Sequence, residues 1–157
     1  MSNSSSKKNS SPPKAWRSII IWGILAFFLR WQVIEPRWIP SGSMLPTLQL
    51  QDRILVEKVT PKINYFIEQK ININNMVVFR PPEKLISSGY DSKSALIKRV
   101  VGISGDQLKV SNGKLFRNNE LIEESWIKEP IKYEMGPVII PKYSVWVLGD
   151  NRNNSLD

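Results

Sequence analysis

Apolar and polar positions divide the chain into three parts. Residues 1–14 are Ser, Asn, Lys and Pro with no large apolar side chain after Met1, which is too little to offset the entropy of ordering, so a disordered basic tail is expected. From Ala15 the pattern inverts into an unbroken apolar run, Ile19 to Leu29, flanked by Trp16, Arg17, Arg30 and Trp31. It is apolar on every side, unlike a surface helix. The run by itself is shorter than the ~20 residues a bilayer requires. Trp and Arg at both ends suit the two interfaces, however, and residues 15–34 are expected to form a single transmembrane anchor. Arg30-Trp31-Gln32 stands where a cleaved signal would carry small residues. Lys7, Lys8, Lys14 and Arg17 precede the run without an acidic residue, which puts the amino terminus in the cytoplasm and residues 35–157 outside it.

Beyond residue 50 the rhythm is that of strands. Arg53–Lys58, Met76–Phe79, Ala95–Val101, Gln107–Val110, Lys114–Phe116 and Ser144–Leu148 are short and rich in β-branched or aromatic residues, and Pro or Gly punctuates most of the junctions. Ser111-Asn112-Gly113 between two of them predicts a hairpin. The segments Thr60–Asn75 and Pro81–Ser94 are polar and poorly periodic and are expected to be loops. The fold class is mainly β: a β-rich domain of antiparallel, partly closed sheets behind one amino-terminal helix.

Between anchor and strands lies Pro40-Ser-Gly-Ser-Met-Leu-Pro-Thr-Leu48, a poor helix and a good rigid loop. The prolines fix φ near −65° and the glycine permits a close backbone approach, so Ser41 and Ser43 can be held in place. Composition then narrows the chemistry. The chain has no His and no Cys, which excludes a Ser-His-Asp triad, a cysteine nucleophile, disulfides and the usual zinc sites. The net charge of +8 comes from scattered Lys and Arg without a nucleic-acid-binding motif, so no nucleic acid is expected.

An activated Ser43 needs another base, and Lys98-Arg99-Val100-Val101-Gly102 offers one. Neighbours on a strand face opposite sides, and here both sides read as apolar, so the pattern does not choose between Lys98 and Arg99. Proton chemistry does. A guanidinium cannot accept a proton, whereas a lysine amine buried among apolar groups gives up its charge more readily. Lys98 would serve Ser43 as general base; Ser41 and the Ser43 backbone N–H would donate to the oxyanion.

Four stretches in order resemble the successive boxes of bacterial type I signal peptidases: Pro40–Leu48, Asp52–Lys58, Lys98–Asp106 and Gly149-Asp-Asn-Arg-Asn-Asn-Ser-Leu-Asp157. The resemblance implies a membrane-bound serine endopeptidase that removes signal peptides from exported preproteins, without metal or cofactor. It implies Ser43 as nucleophile, Ser41 as oxyanion donor, Lys98 as base and Ser155 as the residue that orients the lysine. It pairs Asp150 with Arg99, and Asp157 with an arginine beyond the last residue. Small side chains at the first and third positions before the cut would enter shallow pockets lined by Ile39, Met44, Leu48 and Ile97, with the substrate strand beside Ala95–Lys98.

Gln51 stands where the family usually has Gly, and Asn74-Asn75 where it has Gly-Asp; both changes are expected to alter turns rather than chemistry. The sequence stops before the Ser-Arg and aromatic-glycine segment of the family, so the catalytic domain, residues 35–157, is expected to be truncated. The partners implied are preproteins and membrane lipid, in a plasma membrane or an internal energy-transducing membrane such as the thylakoid. The alternatives are a catalytically inactive anchored β domain that binds exported chains, and a self-cleaving repressor-type protease. The latter resembles the Ser-Lys pattern but needs a DNA-binding domain for which this chain has no room.

Overall fold

A computed structural model describes residues 14–58, 71–92 and 94–155. The first element is helix α1 (Lys14–Val33). Its described apolar side chains are exposed around the whole helix, Phe27 at 70%. The expected helix therefore forms over nearly the expected residues, but among the described residues no helix is long and apolar enough to cross a membrane. The physical reason lies in the sequence: Arg17, Arg30 and Gln32 fall within α1, and Ile19–Leu29 covers only roughly 16 Å at the α-helical rise against ~30 Å of hydrocarbon. The expected tail, apart from Lys14, lies outside the described residues.

The rest is mainly antiparallel β structure. Strands β1 (Ile34–Trp38) and β2 (Arg53–Glu57) form a two-stranded ribbon, with Pro36 opposite Leu55. β3 (Met76–Phe79), β4 (Leu96–Ile103) and β9 (Val145–Leu148) form a second sheet with β4 in the middle. β5 (Gln107–Ser111), β6 (Lys114–Arg117), β7 (Glu120–Leu121) and β8 (Met135–Ile139) form a third, in the order β7-β6-β5-β8. At the β5–β6 turn Asn112 and Gly113 have φ of 52° and 76°. Two left-handed residues make the turn whose twist matches the strands, which is why Asn-Gly marks it.

β1, β7 and β8 were not expected. Pro36 and Pro137 break the sequence pattern, yet each sits in a strand at a sheet edge, where the missing N–H need not cost a ladder bond. Helix α2 (Glu83–Ser87) occupies part of the stretch expected to be a loop. The other loop expectation, Thr60–Asn75, falls largely outside the described residues.

Two apolar clusters hold the sheets. The larger gathers Val101, Leu108, Val110, Leu115, Ile140 and Leu148. The smaller packs Ile39, Met44 and Ile97 against Leu48, Ile54 and Val78, beneath the serine-bearing loop. β4 is buried from Leu96 to Gly102. That explains why both its faces read as apolar, and it carries Lys98 and Arg99 into the interior at 2% and 9% exposure.

Candidate active site

The loop between β1 and β2 is closed at its base by backbone bonds from Ile39 N–H to Asp52 O and from Gln51 N–H to Ile39 O, both 3.0 Å. Gln51 turns there with φ of 68°, a left-handed conformation in which glycine is less strained. Asn74, φ 69°, is the same case. Both positions at which the sequence was expected to alter turns are turns, each with a left-handed backbone. At the tip, extended Ser41 leads into a single 3₁₀ turn, Gly42–Met44, with Leu45 N–H donating to Gly42 O at 3.2 Å. Met44 points into the smaller cluster, 1% exposed, which fixes the turn and leaves Ser43 half-buried. The Ser41 and Ser43 hydroxyl oxygens lie 3.3 Å apart.

A second segment, Gly149–Ser155, is laid against that turn. Asn151 N–H donates to Ser43 O at 2.9 Å and Asn151 Nδ2 to Gly42 O at 3.0 Å. Gly149 is wedged in so closely that a Cβ there would stand 2.5 Å from Ser43 O and collide with the Ser155 side chain. No other residue fits such an approach. From β4 the Lys98 amine reaches the same point and donates to Ser155 Oγ. Ser43, Gly149, Ser155 and Lys98 are therefore neighbours, although they come from three separate parts of the chain.

Around them is a buried polar frame. Arg99 Nε and Nη2 bind the two carboxylate oxygens of Asp150 at 2.8 and 2.6 Å, Arg99 Nη1 donates to Asn74 O at 3.1 Å, and Thr47 Oγ1 donates to Asp150 Oδ2 at 2.5 Å. The paired carboxylate, against the opposing effect of burial, holds the Arg99 guanidinium above its already high ordinary value, with Asp150 and Glu124 adding attraction. Arg152 binds Glu124 through two bonds of 2.7 and 2.6 Å and donates from Nε to Gly149 O at 2.9 Å.

Sequence reasoning singled out Arg99 and Asp150 but not Thr47, Asn151, Arg152 or Glu124. Thr47, Asn151 and Arg152 stood inside boxes already noted, though nothing local marks Thr47 as a partner of a residue 103 positions away; Glu124 had no local signal, its partner being 28 positions away. Of the pocket residues, Ile39, Met44 and Ile97 are buried together with Leu48 against them. Asp157 lies outside the described residues. Among the described residues no group of three or more acidic side chains is arranged to hold a metal ion.

Beside this site one edge of β4 has no partner strand over Leu96–Lys98 among the described residues. β3 pairs with Leu96–Arg99 on one side of β4, while β9 covers the other side only from Arg99 onward.

Comparison with known proteins bears on all of this at once. The family model for signal peptidase, peptidase S26, matches residues 14–157. The chain belongs to that family. It is 41% identical over 157 residues to the probable signal peptidase I-1 of Synechocystis sp., covering 96% of this chain and 78% of that one. It is 41% identical to the signal peptidase I of Leptolyngbya laminosa, over 85% of this chain and 64% of the other. It is also 42% identical to the probable thylakoidal processing peptidase 2 of Arabidopsis thaliana, over 85% of this chain and 35% of that longer protein. In a family of peptidases, a buried lysine bonded to Ser155, with Ser43 on the other side of Gly149, is the arrangement whose chemistry has to be accounted for.

Proposed function

We propose that the chain is a serine endopeptidase that removes signal peptides from exported preproteins, with Ser43 as nucleophile and Lys98 as general base. Family membership supports the activity. The observation that carries the assignment of residues is the junction at Gly149, where the Ser43 carbonyl and the Ser155 hydroxyl meet and Lys98 bonds to Ser155.

The steps of this reading are these. To act as base, Lys98 would donate one N–H to the Ser155 oxygen and turn its nitrogen lone pair to the Ser43 hydroxyl. Ser43 Oγ attacks the scissile carbonyl as its proton passes to Lys98, and the tetrahedral oxyanion accepts bonds from the Ser43 N–H and the Ser41 hydroxyl. Collapse breaks the C–N bond, Lys98 returns the proton to the leaving amine, and an ester remains on Ser43. Water, deprotonated by the same amine, attacks the ester; the acyl C–O bond breaks, the signal peptide leaves as a carboxylic acid, and Lys98 returns the proton to Ser43 Oγ.

Substrate binding uses the Leu96–Lys98 edge of β4. A preprotein strand beside Leu96–Lys98 would gain main-chain hydrogen bonds there. Alternate side chains would meet a floor made by Ile39, Met44, Leu48 and Ile97, which suits small residues. α1 holds the chain to a plasma or thylakoid-type membrane: its apolar centre alone is too short to cross, but with Arg17 and Arg30 reaching out to the interfaces beside Trp16 and Trp31 the whole 20-residue helix, roughly 30 Å at the helical rise, would reach across. The amino terminus is then cytoplasmic and residues 35–157 form the catalytic domain outside. Nothing observed favours the binding-only alternative.

The test is cleavage of a preprotein in detergent by this chain, Ser43→Ala and Lys98→Ala, with a chelator present. The reading requires a cut after a small-x-small site, no cut by either variant and no effect of the chelator. Cleavage that survives Ser43→Ala removes it.

A further inference from the structure

Glu124 and Trp126 lie between β7 and β8, outside every stretch that carries the family resemblance, yet together they hold both arginines of the site. Glu124 binds Arg152 through two short bonds, with side-chain exposures of 4% and 0%. Trp126 lies under the Arg99 guanidinium, 4.7 Å from ring centroid to Cζ, and its own indole N–H is buried without a partner among the described residues. Arg99 follows the lysine directly on β4. Arg152 grips the Gly149 carbonyl in the turn that carries Ser155 and abuts the Ser43 carbonyl.

We infer that Glu124 and Trp126 are positioning residues for the Ser43–Lys98 pair, clamping its two supporting arginines from behind. The inference rests on the peptidase reading above. Stability by itself is a poor reason for such a clamp, because a buried ion pair is often matched or bettered by apolar side chains of similar volume. Location is a better one. Arg152 connects Glu124 to the main chain of Gly149, which leaves no room between Ser43 and Ser155, so a shift of the guanidinium moves the nucleophile relative to the base. Misplacement by about 1 Å is enough to cost ~10²-fold in rate. The edge at Leu96–Lys98 and the floor at Ile39, Met44 and Ile97 make none of these contacts, so substrate binding is spared.

Steady-state cleavage would be compared for the full chain, Glu124→Gln, Trp126→Leu and the double variant Glu124→Met/Arg152→Met, each with its thermal midpoint. Both single variants are expected to lower kcat by about 10- to 100-fold with KM within about twofold. The double variant is expected to recover the thermal midpoint but not kcat. If kcat returns with stability, or Glu124→Gln leaves kcat unchanged, the role is structural and the inference fails. Amide hydrogen exchange decides the point independently of cleavage. Glu124→Gln should speed exchange at Asn151 and Leu45 by about tenfold or more and leave the β5–β6 hairpin unaltered. Unaltered exchange at Asn151 and Leu45 overturns the inference even in a chain that cuts nothing, an outcome that would itself overturn the peptidase reading and not this one.

Discussion

At the Gly149–Ser155 turn, Arg99–Asp150 and Arg152–Glu124 are closed off from water, with side-chain exposures of 11% and 0% and of 0% and 4%. On the β1–β2 ribbon, Glu35 meets Arg37 and Lys58 at 2.5 Å each, but all three side chains are 31–39% exposed. The distances are nearly the same and the chemistry is the same. What differs is what happens when one partner is lost. On the ribbon water replaces it, and such pairs are worth ~0–1 kcal/mol. In the turn nothing replaces it, and an uncompensated buried charge costs ~3–5 kcal/mol. Ion pairing in this chain therefore fixes geometry at the site and contributes little on the ribbon.

The comparison is broken most forcefully at Asp150. Asp150→Ala strands Arg99 and frees Thr47, and should cost ~3–5 kcal/mol of unfolding free energy; a denaturation midpoint within error of the parent would refute the contrast. Gly149→Ala comes next. It drives a methyl group into Ser43 O and Ser155, and the expected loss is ~1–3 kcal/mol with kcat down by ~10²-fold. Trp126→Phe keeps an aromatic face under Arg99 and removes the unpartnered N–H, so stability should change by less than about 1 kcal/mol and kcat by less than about threefold.

On the ribbon and at the base of its loop the changes are smaller. Gln51→Gly relieves a left-handed side chain at φ 68°, and thermal unfolding should show a gain of roughly 0.5 kcal/mol, strain relief being offset in part by the entropy of glycine. Glu35→Gln should cost less than about 1 kcal/mol. Bonding to Lys58, with Arg37 adding to it and burial opposing, holds the Glu35 carboxyl below its ordinary value of 4.5. A lowered folded value means that the stabilisation is present above the unfolded value and is lost as pH falls through the folded one. The difference between Glu35→Gln and its parent should accordingly exist at neutral pH and vanish in acid.

How far the sequence carried differs between the two regions for the same reason. The Asn112-Gly113 turn and the β-branched stretches of β3, β4, β5 and β9 were legible because local chemistry sets them. β1 and β8 were not, because Pro36, Gly136 and Pro137 interrupt the period and are tolerated at sheet edges. Ser41, Ser43, Lys98, Arg99, Asp150 and Ser155 stood out through their motifs. Glu124 and Trp126 had no such signal, and Thr47 sat inside the Pro40–Leu48 box with no sign of its partner: each acts through a residue distant in the chain, and a single sequence does not record which buried carboxylate meets which arginine. The helix at α1 was plain from its apolar run, while its adequacy as a membrane span depends on where Arg17 and Arg30 sit.

The central claim is that Ser43 and Lys98, held at the Gly149 junction, act as one unit. The most direct measurement is kcat for one preprotein substrate with Ser43→Ala, Lys98→Ala and the double variant. The account predicts that each single change lowers kcat by at least ~10³-fold and that the double variant is no worse than the poorer single one, since parts of one unit are not additive. Lys98→Ala within about tenfold of the parent, or losses that multiply in the double variant, would contradict it.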